Sequence, residues 1–139
     1  MRRTTAILIC IIFLAFGLIR IGVGSALIGQ ELGVLNFEAL SAPIEEVKDF
    51  LEKRQDQQII KLNALSYLGV IIFMGVSLAL GAVGAFRHKG WGLALIGVYL
   101  LTHAGLFVNF QTINPKIAYL GIGVLLYAVL ILVNRRTDQ

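Results

Sequence analysis

The residues of this chain that could most readily take part in binding or catalysis are an arginine and a histidine inside long apolar stretches. Arg20 interrupts an apolar run near the N-terminus, and His103 lies in a similar run further along. An ionisable side chain at membrane depth is costly unless it reaches the headgroups or finds a partner, so such residues commonly have a function. Arginine there would bind an anion or a carbonyl group, and histidine would contact a quinone or transfer a proton.

Other polar residues share a helical face or a depth with these two. At about 100° per residue, Tyr99, Thr102, His103 and Asn109 lie within an arc of about 120° on one helix. Arg20 lies about 21 Å along its helix and His103 about 20 Å along a helix running in the same direction. We therefore predict a ligand-binding cluster in the outer leaflet, formed by Arg20, Tyr67, Tyr99, Thr102, His103 and Asn109.

The same residues also allow a purely structural interpretation. No Asp or Glu lies inside the apolar stretches, so Arg20 could instead reach lipid phosphate, backbone carbonyls or tyrosine oxygens. His103 could be a neutral, hydrogen-bonded packing residue. An enzyme that used His103 as a base would need a group to orient it, and the sequence offers no candidate.

Several other chemistries are excluded by residue type and spacing. Haem with two histidine ligands would need His88 beside His103, but they lie about 22 Å apart along a helix. Cys10 has no second cysteine with which to form a disulfide, and packing explains it best. Clustered zinc ligands and phosphate-binding glycine loops are absent, and so is a carboxylate within the apolar stretches. We predict no enzyme activity, no cofactor and no metal.

Four apolar stretches must position these polar residues, and each has nearly the length needed to cross a bilayer. They cover residues 6–28, 64–86, 91–110 and 117–133. About 17 to 25 apolar residues in a helix span the hydrocarbon core. Apolar residues form 58% of the chain and charged residues only 14%, less charge than a soluble domain carries. The sequence predicts an all-α polytopic membrane protein, a single membrane domain with four transmembrane helices in a bundle.

The distribution of charge predicts the orientation. The net charge is +4, but basic residues gather at the stretch ends, which argues against nucleic acid binding: Arg2, Arg3, Arg87, Lys89, Arg135 and Arg136. Four spans place these residues on one side, which the positive-inside rule makes cytoplasmic. Acidic residues outnumber basic ones in the opposite segment, residues 30–63. We expect both termini in the cytoplasm, with the protein in a bacterial inner membrane.

The outer segment contains a predicted amphipathic helix. Ser41, Pro43 and the acids that follow are typical of a helix start, and apolar residues then recur at helical spacing from Ile44. No proline or glycine follows until residue 69, which favours one continuous helix over residues 44–86. The alternative is a break around Asp56, Gln57 and Gln58.

The first apolar stretch and the small residues of the spans each allow two interpretations. The first stretch could be a cleaved signal peptide, with Gly24-Ser25-Ala26 as its cleavage site, which would leave three spans. Small residues in the spans predict close helix contacts, within one bundle or between copies. Those on the first two spans are Gly22, Ser25, Ala26, Gly29, Gly33, Ser77, Gly81 and Ala85, and Gly97 and Gly105 lie on the third.

These observations predict a protein that acts by binding other molecules and not by catalysis. The bilayer is its first partner, and the leading hypothesis is an accessory or structural subunit that binds a membrane protein or another copy of itself. The alternative is a protein that binds or conducts a small ligand, such as a quinone, lipid or anion, at the predicted polar cluster.

Overall fold

The computed structural model describes residues 1–111 and 115–135, and all the regular secondary structure in that part of the chain is helical. The helices are α1 (Arg2–Glu31), α2 (Glu38–Lys53), α3 (Ala64–Phe86), α4 (Gly90–Phe110) and α5 (Ile117–Arg135). The four helices other than α2 are long and apolar enough to cross a membrane, which confirms the predicted fold class. Arg136 and residues 112–114 of the predicted turn after α4 lie outside the described residues.

The connections give the bundle two distinct ends. The start of α1, the α3–α4 turn and the end of α5 share one end, which we call the termini end. The opposite end holds the end of α1 and the start of α3, and we call it the α2 end. Because Ile44 of α2 packs with Leu27 and Leu68 while Phe50 contacts Phe110, α2 lies across the ends of α1, α3 and α4.

Glycines bring the backbones of α1 and α4 into direct contact with the backbone of α3. A Cβ atom added to Gly17 of α1 would lie 2.7 Å from the Ala79 nitrogen and 2.8 Å from the Gly75 oxygen of α3. On the other side of α3, Gly92 of α4 lies against the backbone of Gly84 and Ala85. Such close approach between helices is a main source of packing energy within a membrane. At Gly22, one of the predicted contact positions on α1, an added Cβ atom would have no atom of another helix within 4 Å, while Gly17 and Gly24 face α3.

Buried apolar residues concentrate towards the termini end. The largest buried cluster draws on α1, α3, α4 and α5, and its members are Ala6, Ile9, Cys10, Phe13, Met74, Leu78, Ala82, Ala85, Ile96, Tyr99, Leu100 and Leu130. Of the four long helices, α5 contributes least to the core, because only Gly123 and Leu130 of its residues are buried. It touches α4 through Tyr127, whose hydroxyl donates a 3.1 Å hydrogen bond to the Leu93 carbonyl.

The prediction of one helix over residues 44–86 was wrong, because α2 ends at Lys53 and α3 begins at Ala64. Side-chain hydrogen bonds stabilise the non-helical connection between α2 and α3. The Gln58 amide nitrogen donates to the Leu51 carbonyl and its amide oxygen accepts from the Leu62 N–H. Asn63 then caps α3 by accepting a 2.8 Å hydrogen bond from the Ser66 N–H. Helix α2 also begins at Glu38, three residues before the predicted start at Ser41.

Candidate functional site

Arg20 reaches across α3 to touch α4. Its Cβ atom packs over Gly75, where an added Cβ would lie 3.0 Å away, so the missing side chain of Gly75 leaves room for the arginine. The guanidinium carbon then lies 5.5 Å from the centroid of the Tyr99 ring. A guanidinium over an aromatic face is attracted by the negative face of the ring. This contact therefore links α1 and α4 through Arg20.

His103 lies between two aromatic rings on its own helix. Its ring centroid is 5.7 Å from that of Tyr99 and 5.5 Å from that of Phe107, with which it stacks at an interplanar angle of 24°. Only 7% of its surface is exposed. Arg20, Tyr99, His103 and Phe107 together form what we call the Tyr99 cluster. Phe107 was absent from the predicted site, although its position four residues after His103 placed it on the same helical face.

Two polar atoms in this cluster lack a hydrogen-bond partner. Arg20 Nε and His103 Nδ1 are buried, and neither bonds to any described residue. Buried polar groups are nearly always hydrogen-bonded in folded proteins, so each exception needs an explanation. The structure thus brings together three of the predicted site residues and leaves two of them with unused hydrogen-bonding capacity.

Tyr67 packs mainly in a second group of rings under α2. Its ring centroid is 6.3 Å from Phe50 of α2 and 5.9 Å from Phe110 of α4, and the two phenylalanines are 5.0 Å apart. Arg54 also contacts Phe50, with its guanidinium carbon 4.9 Å from the ring centroid. Tyr67 therefore holds α2 against α3 and α4. It still lies near enough to Arg20 to interact electrostatically with that charge.

The other two predicted residues make their contacts elsewhere. Thr102 donates a 2.8 Å hydrogen bond to the Val98 carbonyl of its own helix. The Asn109 side chain accepts from the Ile60 N–H at 2.6 Å and donates to the Ile60 carbonyl at 3.1 Å, while its backbone oxygen accepts from the Ile59 N–H. Asn109 therefore fastens the α2–α3 connection to the end of α4.

Helix α2 carries an open groove on its outer surface. The groove has a volume of about 450 Å³ and is lined by Glu46, Asp49, Phe50, Lys53, Arg54 and Gln57. Its acidic residues lie in the middle of α2 and its basic residues at the end of α2, so the charges are separated along its length. Outside the groove, Lys48 forms a 2.9 Å ion pair with Glu31 of α1, which ties α2 to that helix.

A second cavity of about 330 Å³ opens at the termini end. It is lined by Arg3, Ala6, His88, Val133 and Asn134. The described residues contain no group of three or more His, Cys, Asp or Glu side chains that could hold a metal ion.

Comparison of the chain with models of protein families, with curated proteins and with solved structures found no match. Functional inference for this protein therefore depends on its own geometry.

Proposed function

We propose that this chain is a non-catalytic structural membrane protein that assembles with a second copy of itself through the groove on α2. The observation that carries the proposal is the charge separation in that groove. Glu46 and Asp49 lie in the middle of α2, and Lys53 and Arg54 lie at and just after its end. Most oligomers of identical chains are symmetric dimers in which one surface patch meets its own copy.

A two-fold axis along the bundle suits this groove. Because α2 lies across the helix ends, such an axis would bring two α2 helices together in antiparallel orientation. The acidic half of each groove would then face the basic half of the other. Phe50 lies between the two halves and supplies an apolar centre, as interfaces with a polar rim usually have.

The polar residues of the interior agree with a non-catalytic role. Asn109 and Gln58 bond to the backbone of the α2–α3 connection, and Thr102 bonds within its own helix. Ser77 donates a 2.8 Å hydrogen bond to the Leu95 carbonyl across the α3–α4 contact. These side chains are engaged in holding the fold together.

Charge reversal tests the assembly. We expect the purified protein in nanodiscs to be a dimer by native mass spectrometry. Glu46→Lys with Asp49→Lys should raise the dissociation constant about tenfold or more, since several ion pairs are each worth about 0.2–1 kcal/mol and become repulsions. Lys53→Glu with Arg54→Glu should do the same, and mixing the two variants should restore a dimer that contains one copy of each.

A matched control uses acids of the same helix outside the groove. Glu45→Lys with Glu52→Lys changes the charge by the same amount on residues that do not line the groove, and it should leave the dimer intact. The proposal fails if the wild-type protein is monomeric, or if the groove and control variants behave alike. A different protein that co-purifies in a groove-dependent way would replace self-assembly by an accessory role.

We also propose that the protein lies in a plasma membrane, such as a bacterial inner membrane, with both termini in the cytoplasm and the amphipathic helix α2 outside. Support comes from the basic residues at the termini end: Arg2, Arg3, Arg87, Lys89 and Arg135. On intact cells, a maleimide that cannot cross membranes should label Glu45→Cys and spare Arg87→Cys. Both positions are exposed and Cys10 is buried. The opposite labelling pattern would reverse the orientation.

A further inference from the structure

The Tyr99 cluster has a charge that no neighbouring acid neutralises. No Asp or Glu lies in α3, α4 or α5, and the only one in α1 is Glu31 at its end, about 16 Å from Arg20 along the helix. Glu31 is already paired with Lys48. Arg20 therefore lies among apolar helices without an ion pair to a described acid, and its guanidinium contacts the face of the Tyr99 ring.

The two unpaired atoms of the cluster flank the same ring. The Arg20 guanidinium carbon approaches Tyr99 from α1, and the His103 ring lies one helical turn further along α4. Both atoms are buried, yet Arg20 as a whole remains partly exposed, so its guanidinium lies at the edge of the packed interior. The arginine N–H groups and the histidine nitrogen together can hold the oxygens of one head group.

The bundle is open beside this cluster. The buried residues of α5 are Gly123 and Leu130, and Leu130 shares a buried cluster with Ala6, Ile9 and Phe13 of α1. At the α2 end, the first residues of α5 are largely exposed, including Tyr119 at 58% and Ile122 at 55%. Arg20 itself is partly exposed, so its side chain can be reached from the apolar phase on this side of the bundle.

From this geometry we infer that the Tyr99 cluster binds a membrane amphiphile with a carboxylate or phosphate head group. The head group forms charge-assisted hydrogen bonds with Arg20 and a further hydrogen bond with His103. The apolar tail extends from this side of the bundle into the bilayer. Such a ligand would satisfy both unpaired atoms and supply the missing negative charge, which a soluble anion without a tail would do less well at this depth.

Binding is measured by native mass spectrometry after delipidation, with separate titrations of oleate, dioleoyl phosphatidylglycerol, dioleoyl phosphatidylcholine and inorganic phosphate. We expect oleate or phosphatidylglycerol, which are net anionic, to bind about tenfold more tightly than phosphatidylcholine, whose quaternary ammonium offsets the charge of its phosphate. Preference for oleate would identify a carboxylate head group, and preference for phosphatidylglycerol a phosphate. Equal binding of phosphatidylcholine, or binding of inorganic phosphate alone, would overturn the inference.

Variants test whether Arg20 is required for binding of the amphiphile. Arg20→Leu should reduce the affinity about tenfold or more, and His103→Phe should cause a smaller loss, because it keeps the ring and removes the nitrogen. Arg87→Leu is the matched control, since it removes an exposed arginine at the termini end and should change nothing. Equal affinity of Arg20→Leu and Arg87→Leu refutes the site. If Arg20→Leu does not fold, Arg20→Gln removes the charge but keeps a polar side chain, and unchanged binding would likewise refute the site.

Discussion

The contact between α1 and α3 at Gly17 predicts a large effect from one added methyl group. In Gly17→Ala, the new Cβ would lie 2.7 Å from the Ala79 nitrogen, 2.8 Å from the Gly75 oxygen and 2.9 Å from the Ala79 Cβ. Ordinary van der Waals contact begins at 3.4 Å, and two of the three atoms belong to the backbone and cannot rotate away. The two helices must therefore separate. Overpacking of this kind costs about 1–3 kcal/mol of unfolding free energy.

Gly22→Ala provides the matched control on the same helix. Nothing lies within 4 Å of the added atom there, and alanine favours a helix over glycine by about 1 kcal/mol. This gain applies to both variants, so their unfolding free energies should differ by the overpacking cost alone, about 1–3 kcal/mol. Unfolding in mixed micelles can be followed by the fluorescence of Trp91, the single tryptophan, which packs against Gly84. A difference within about 0.5 kcal/mol would refute the close approach of α1 and α3.

Two further predictions concern the α2 end. Asn109→Ala should lower the unfolding free energy by about 1 kcal/mol and speed hydrogen exchange at the Ile60 amide, because that N–H loses its acceptor, whereas Asn36→Ala should change neither. Unchanged exchange at Ile60 would contradict the bond. The hydrogen bond that Lys48 donates to Glu31 raises the pKa of Lys48. The ion pair therefore stabilises the fold below the unfolded pKa of about 10.4 and is lost as pH rises through the higher folded pKa. Unfolding measured between about pH 9 and pH 12 should show a steeper loss of stability in the wild type than in Glu31→Gln, and equal slopes would exclude this coupling.

The four long helices were predictable because their signal is local. Length and apolar composition within each stretch suffice, and the predicted range 64–86 coincides with α3. The break between α2 and α3 includes Asp56, Gln57 and Gln58, where it was predicted only as the alternative, because it involves neither proline nor glycine. One part of it was readable, since Asn63 followed three residues later by Ser66 is a helix-capping pattern. The bond from Asn109 to Ile60 spans 49 positions and has no local signature.

The candidate site was predictable in part for a similar reason. Equal depth along two helices placed Arg20 beside the Tyr99 and His103 face, and the structure brings these three together. The helical arc that also included Thr102 and Asn109 predicts which face of α4 these side chains lie on. It does not predict which groups of the protein they bond to. A hydroxyl can bond to its own helix, and an amide at a helix end meets a connecting segment instead of the interior.

The spacing of the helices is set in two different ways, with consequences for how the sequence can vary. Between α3 and α4, Gly92 rests on the backbone of Gly84 and Ala85, so no side chain can be added there without moving a helix. Between α4 and α5, the separation is set by the side chains of Tyr127 and Leu100, which can change rotamer or size. The first spacing has a single value that only glycine permits, and the second can be adjusted by small steps of substitution.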